Sequence, residues 1–143
     1  MKLEIALLGI TIEETGKLDP SCDMIIMNHQ SLIDIIIIEH LHPKHLAWVA
    51  KKEIADLFFF GHIIKAPKMI SIDREDKSGI VTLLKETKDR LSKGRPIAIF
   101  PEGTRSNGKK ISKFKFGAKM VADRHKLKVQ PIVLVNTRII LDS

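Results

Sequence analysis

The sequence is poor in aromatic side chains. Its 143 residues include no tyrosine and a single tryptophan, and aromatic residues make up 5% of the chain. Proteins that bind single-stranded nucleic acid stack the bases on aromatic rings, and this composition offers little for such a surface. We therefore expect no nucleic acid among the partners of this protein.

Cysteine and long apolar runs are also scarce. Cys22 is the only cysteine, which excludes an internal disulfide and fits a reducing compartment. No apolar run approaches the roughly 20 residues that a membrane-spanning helix needs. The sequence therefore predicts no spanning segment within these residues, and it leaves open attachment to a membrane surface.

Basic residues are in excess. The formal net charge is +7 and the isoelectric point is near 9.6, which predicts an anionic partner. Nucleic acid, acidic lipid headgroups and a phosphorylated small substrate all meet that description, and the shortage of aromatic rings favours the last two. Hydrophobic residues make up 44% of the chain and charged residues 29%, as in an ordinary folded domain. The absence of a linker, repeat or low-complexity segment predicts one domain over residues 1–143, which is short for an α/β enzyme.

Strand-like and helical segments alternate along the chain. Apolar runs predict strands at 3–12, 24–27, 47–50, 68–72, 96–100 and 129–135. Helical spacing predicts helices at 32–41, 53–60, from Ser78 to just before Gly94, and at 116–125, although the β-branched run within 32–41 also suits a strand. This alternation predicts an α/β fold with a mixed, mostly parallel sheet flanked by helices.

His29 and Asp34 form a candidate catalytic pair directly after the strand at 24–27. Imidazole exchanges protons near neutral pH, and a carboxylate held against one ring nitrogen fixes the tautomer and stabilises the imidazolium. Ser31 with Asp34 three residues later is equally typical of a helix start. Residues five apart do not share a helix face, so the pair requires His29 to lie in the turn before the helix. The segment by itself leaves both interpretations open.

A second histidine cluster follows the helix at 32–41. His40, His42 and His45 have a spacing that can hold zinc if a further ligand joins them, which would suit a metal-dependent hydrolase. A polar loop after a helix is the alternative, and the intervening proline and the lack of an adjacent acidic ligand favour it. We expect no metal in the site.

Two more polar clusters follow predicted strands. Asp73-Arg74 comes after the strand at 68–72, and Glu102-Gly103-Thr104-Arg105 comes after the strand at 96–100. A glycine beside an arginine and a hydroxyl suits the approach of a backbone to a phosphate, although an ordinary surface turn would look the same. In parallel sheets, sites gather at the carboxyl ends of strands, where His29 also falls. We expect the three clusters to meet.

The order of these motifs resembles that of the glycerolipid acyltransferases, particularly the bacterial 1-acyl-sn-glycerol-3-phosphate acyltransferases. The resemblance is carried by four blocks and covers most of the chain, from about Ile5 to Val135. The blocks are Asn28-His29-Gln30-Ser31-x-x-Asp34, Ile72-Asp73-Arg74, Phe100-Pro101-Glu102-Gly103-Thr104-Arg105-Ser106 and Val129-Gln130-Pro131-Ile132. It implies the fold of the glycerol-3-phosphate acyltransferases, possibly incomplete at the ends. It also implies transfer of an acyl group from acyl-CoA or acyl-carrier protein to the 2-hydroxyl of lysophosphatidic acid, giving phosphatidic acid.

The resemblance also implies roles for individual residues. His29 would be the general base and Asp34 its orienting carboxylate, with no cofactor beyond the acyl donor as co-substrate. The acceptor phosphate would be held by basic side chains, namely Arg105, Lys51, Arg74 and Lys115. The loops and the acceptor would be positioned by Glu102, Gly103, Thr104, Asn28 and Ser31.

Membrane attachment and the exact acceptor are expectations of the same kind. The basic surface would hold the protein at the cytoplasmic face of an anionic membrane, either peripherally or through an anchoring segment outside this chain. Glycerol 3-phosphate or another lysolipid is the alternative acceptor. Family members tend to begin before the first strand and to continue past the fourth block, so we expect a short member or a fragment.

Overall fold

A five-stranded sheet lies at the centre of the structure, a computed structural model that describes residues 9–51, 69–73 and 76–140. The strands are β1 (Met24–Met27), β2 (Ala47–Lys51), β3 (Ile70–Ile72), β4 (Ile97–Ile99) and β5 (Val129–Ile132). The helices are α1 (Ile33–Leu41), α2 (Ser78–Ser92), α3 (Phe116–His125) and α4 (Thr137–Ile140). The spatial order of the strands is β3-β2-β4-β1-β5, and every pairing among them is parallel. The predicted α/β fold with a mostly parallel, helix-flanked sheet is confirmed.

Helices cover both faces of the sheet. Successive strand residues point to opposite faces, so Met24 contributes to one apolar cluster while Ile25 and Met27 contribute to the other. The first cluster contains Leu83 of α2 with Ala118 and Val121 of α3, and the second contains Ile38 of α1. A strand that is buried on both faces lacks alternation, which explains the continuous apolar run of β1.

Most predicted elements are present with small differences in their bounds. β1 and α3 have the predicted bounds, and residues 33–41 form a helix rather than a strand. Residues 10–12 form no strand, while the rest of the 3–12 prediction and the whole 53–60 prediction lie outside the described residues. The last strand ends at Ile132 rather than at residue 135, and α4 follows it without having been predicted.

The edge position of β5 explains both its proline and its early end. Pro131 lies on β5, the edge strand of the described sheet, opposite Ile26 of β1. Proline has no N–H to donate, and an edge strand tolerates this because one of its sides has no neighbouring strand. The N–H and carbonyl of Leu134 bind the Asn28 side chain instead of a neighbouring strand. The chain therefore leaves the ladder after Ile132.

The sheet topology brings two loops together at one edge. β1 and β4 are adjacent and parallel, so the turn after Met27 and the loop after Ile99 leave the same edge side by side.

The long helix α2 ends before Gly94, whose φ of +71° suits glycine after a helix. Among the described residues, no helix has the length and apolarity needed to cross a bilayer.

Candidate active site

The start of α1 brings His29 and Asp34 together. His29 lies in the turn after β1, and its Nδ1 is 2.9 Å from Asp34 Oδ2. The same carboxylate oxygen accepts the backbone N–H groups of Gln30 at 2.8 Å and of Ser31 at 2.9 Å. One oxygen thus holds both the turn and the imidazole ring. The five-residue spacing permits this because His29 precedes the helix.

Ser31 stands at the cap of the same helix. Leu32 already has helical backbone angles, with φ −63° and ψ −25°, so the helical conformation begins directly after Ser31. The Ser31 hydroxyl accepts the Ile33 N–H at 3.3 Å, and Asp34 reaches back to the Ser31 N–H as the acid of a capping box does. Helix capping and the His29–Asp34 contact therefore coexist in one arrangement.

Hydrogen bonds keep the buried Asp34 carboxyl charged. Burial by itself would raise its pKa, because it removes water from the charged form. The hydrogen bonds with His29 and with the backbone N–H groups of Ser31 and Gln30 oppose this effect, and the pKa of Asp34 lies below its usual value. A fully buried carboxylate that stays ionised can stabilise positive charge on the neighbouring imidazole.

The His29 ring is fixed from several other directions. It stacks on Phe100 with ring centroids 3.8 Å apart and planes inclined by 15°. Its backbone N–H donates to Glu102 Oε1 at 2.9 Å, and its carbonyl accepts the Ser106 N–H at 2.7 Å. The side chain is 14% exposed. Because Nδ1 faces Asp34, Nε2 is the nitrogen at which a substrate proton would be exchanged.

Glu102 links the loop after β4 to the turn after β1. It is 1% exposed, and its two oxygens accept the N–H groups of His29, at 2.9 Å, and of Ser112, at 2.7 Å. This geometry favours bracing of the loop over contact with an acceptor, the two roles that sequence reasoning left open. Gly103 follows with φ +76°, and its N–H donates to the Phe100 carbonyl at 3.0 Å. A glycine is favoured at this turn because other residues rarely adopt that φ.

The predicted phosphate-binding residues lie in different places. Thr104 and Arg105 are exposed on the loop after β4. Lys51, at the end of β2, and Lys115, just before α3, both line a cleft of about 700 Å³ between the carboxyl ends of the strands and helices α2 and α3. Phe100 lines the same cleft, which therefore lies next to the ring stacked on His29. Arg74 lies outside the described residues.

Asn28 fixes the backbone of Leu134, which follows the last strand. It is buried; its amide group donates to the Leu134 carbonyl at 2.8 Å and accepts the Leu134 N–H at 2.7 Å. Both bonds go to backbone, so Asn28 serves loop positioning in this structure. The sequence gives no local sign of this pairing, which joins residues 106 positions apart.

Sequence reasoning missed two side chains of the site. Phe100 was predicted only as the end of an apolar strand, and no pattern indicates that its ring stacks on His29. Thr137 follows the last predicted strand, in a helix that was not expected. Its burial next to Asp34 depends on where α4 packs, which no nearby residue signals.

The histidines of the proposed metal site do not form one. His42 is buried with Nδ1 3.1 Å from the backbone of Lys44, whereas His45 is exposed. In the described part of the chain, no three His, Cys, Asp or Glu side chains form a group that could hold a metal ion. The structure therefore gives no support to a metal-dependent hydrolase.

Comparisons with known proteins show what this chain is similar to. A family model described as Acyltransferase matches residues 14–135. The chain is 48% identical over 139 residues to the 1-acyl-sn-glycerol-3-phosphate acyltransferase of Helicobacter pylori strain J99, covering 96% of this chain and 59% of that protein. It is 30% identical over 141 residues to the lyso-ornithine lipid O-acyltransferase of Brucella abortus strain 2308, covering 93% and 52%.

A solved structure has a similar fold. The crystal structure of the 1-acyl-sn-glycerophosphate (LPA) acyltransferase PlsC from Thermotoga maritima matches with a TM-score of 0.68 at 24% identity. The match covers 90% of this chain and 52% of that one. The chain thus spans between half and three fifths of the length of these three proteins.

Proposed function

Because this chain belongs to the acyltransferase family, we propose that its site transfers an acyl group from a thioester to the free 2-hydroxyl of lysophosphatidic acid, giving phosphatidic acid. The observation that carries the proposal is the 2.9 Å contact between His29 Nδ1 and the ionised Asp34. It leaves one imidazole nitrogen to face a substrate, beside a cleft with basic residues in its lining. Acyl-CoA and acyl-carrier protein are the proposed donors.

The site chemistry follows from this geometry. A secondary hydroxyl is a poor nucleophile, so His29 Nε2 removes its proton as the oxygen attacks the thioester carbonyl. Asp34 stabilises the imidazolium that forms. The tetrahedral intermediate then expels the thiolate, which takes the proton from the imidazolium. The ester bond forms, the thioester bond breaks and the histidine returns to its starting state without an acyl-enzyme.

The basic residues support a phosphorylated acceptor. Lys51 and Lys115 both line the cleft. Arg105 is exposed on the loop that Glu102 fastens to the turn carrying His29, next to the His29–Asp34 dyad. Arg105 offers the bidentate geometry that suits a phosphate, and Arg74 is a further proposed contact. The Brucella relative is named for a lyso-ornithine lipid, so a second lysolipid is the alternative acceptor. An ornithine headgroup carries no phosphate, and its ammonium group offsets its carboxylate, so it would gain less from these cations than a phosphate does.

An acceptor panel tests the proposal. With acyl-CoA or acyl-carrier protein as donor, purified protein should release thiol fastest with lysophosphatidic acid, and more slowly with glycerol 3-phosphate or lyso-ornithine lipid. Arg105→Ala should raise the KM for lysophosphatidic acid about tenfold or more, because a hydrogen bond to a charged group is worth roughly 1.5–3 kcal/mol, while kcat changes little.

Arg124→Ala is the matched control for this experiment, since Arg124 is exposed on α3. Its KM should equal that of the wild type. An unchanged KM in Arg105→Ala would remove Arg105 from the phosphate site. Failure to release thiol with any acceptor and either donor would reject the proposed function itself.

A lysine-rich loop suits attachment to an anionic membrane. This lysine loop, residues 109–116, carries four exposed lysines and three exposed apolar side chains, Ile111 at 53%, Phe114 at 50% and Phe116 at 64% exposure. Apolar side chains enter the interfacial layer of a bilayer while lysines contact acidic headgroups. Ser112 N–H binds Glu102, and Lys115 N–H binds the Pro101 carbonyl at 2.7 Å. The lysine loop would therefore hold the dyad close to the proposed cytoplasmic leaflet.

Charge reversal in the lysine loop should weaken membrane binding. Replacing Lys109, Lys110 and Lys113 with glutamate should lower affinity for vesicles containing phosphatidylserine by at least about 100-fold, since each lysine contributes about 1 kcal/mol. Binding in a flotation assay should also fall with added salt. Glutamate at the exposed Lys44, Lys85 and Lys88 makes the same charge change elsewhere and should have a much smaller effect. Equal losses in both variants would refute a specific role for this loop.

A further inference from the structure

The contact between His29 and Asp34 uses only one of the two oxygens of the Asp34 carboxylate. Oδ2 accepts the bonds from His29, Gln30 and Ser31. Oδ1 is buried and has no hydrogen-bond partner of ordinary geometry among the described residues. A buried carboxylate oxygen is costly to leave without a donor. A group close to Oδ1 is therefore expected to donate to it.

Thr137 has a buried hydroxyl group, Oγ1, that also lacks a hydrogen-bond partner of ordinary geometry in the described part of the chain. The residue is 3% exposed. It is the first residue of α4, which contacts α1, the helix that carries Asp34. A hydroxyl can donate and a carboxylate oxygen can accept, so the two atoms complement each other.

The chain before α4 is held in place by the site itself. Leu134, three residues before Thr137, is bound through both its N–H and its carbonyl by Asn28, and Gln30 Nε2 adds a third bond of 3.1 Å to that carbonyl. Asn136 then turns the chain with φ +64°. The residues on either side of His29 thus fix the backbone that leads to Thr137.

We propose that the Thr137 hydroxyl donates a hydrogen bond to Asp34 Oδ1 and so positions the carboxylate that orients His29. The carboxylate is then held through both oxygens and cannot rotate away from His29 Nδ1. Thr137 touches no substrate and is a positioning residue; its effect on catalysis rests on the proposed function. The lowering of the Asp34 pKa by Thr137 supports this contact.

Two substitutions test the Thr137 hydroxyl and the Thr137 methyl group separately. Thr137→Val keeps the shape and removes the hydroxyl, and it should lower kcat about tenfold or more with little change in KM, because small misplacement of a catalytic group is costly. Thr137→Ser keeps the hydroxyl and should remain near wild type. A role in packing alone predicts the reverse, an active valine variant and an impaired serine variant, and that result would overturn the proposal.

A titration of Asp34 tests the contact without relying on activity. Following the carboxyl carbon by NMR, Thr137→Val should raise the pKa of Asp34 and Thr137→Ser should leave it unchanged. His29 is an ionisable side chain in contact with Asp34, so the titration is repeated in the His29→Asn background, where the same difference should persist. An unchanged pKa in Thr137→Val overturns the proposal. If wild-type protein transfers no acyl group, the proposed function fails, and this titration still decides the contact.

Discussion

Replacing His29 with asparagine should lower kcat for acyl transfer by about 10²- to 10⁴-fold, the usual contribution of a general base. An asparagine amide can still donate to Asp34 near the position of Nδ1, but it cannot take a proton from the acceptor hydroxyl. The fold should survive, because the backbone bonds of residue 29 to Glu102 and Ser106 do not involve the ring. Thiol release and thermal unfolding, measured on the same preparation, check both statements.

His45→Gln is the matched control. His45 is exposed and belongs to the second histidine cluster, so its loss should leave acyl transfer unchanged. The same variant tests the metal-dependent alternative, in which His45 would be a ligand. Activity that survives excess chelator in the wild type and in His45→Gln would agree with the dyad. Near wild-type transfer by His29→Asn would reject it.

Replacing Glu102 with glutamine should both destabilise the fold and slow the reaction. Glu102 accepts two backbone N–H groups, from His29 and Ser112, and a glutamine can present its oxygen to only one of them. The other N–H is left buried against an NH₂ group, at a cost of about 1–3 kcal/mol in the free energy of unfolding. Because His29 is one of the two donors, kcat should fall as well. Chemical denaturation and steady-state kinetics measure the two effects.

The exposed Glu14 supplies the control for this substitution. Glu14→Gln makes the same chemical change and should alter neither stability nor kcat. If Glu102 bound the acceptor glycerol instead, Glu102→Gln would raise the acceptor KM while the free energy of unfolding stayed the same. That pattern would contradict the bracing role.

The early end of the last strand has a distant cause. The last strand was expected to continue to residue 135, yet Leu134 leaves the ladder to bind Asn28, 106 residues away. A distant partner thus outweighed the local pattern.

The sequence by itself determined most of the described strands and helices and the order of the motifs. A short continuous apolar run, a period of 3.6 residues and the Gly94 stop signal are local properties, which is why β1 and α3 have their predicted bounds and α2 ends before Gly94. The blocks around His29 and Glu102 indicated the family because their residues are adjacent along the chain. Ser31 and Asp34 indicated a helix start for the same reason.

Only the tertiary structure decided how the site is held. The parallel pairing of β1 with β4 brings Glu102 to the backbone of His29, across 73 residues, and places Phe100 against the imidazole ring. The packing of α4 on α1 buries Thr137 beside Asp34. Such contacts leave no periodic trace in the sequence, because each depends on where two distant segments meet rather than on the residues next to either.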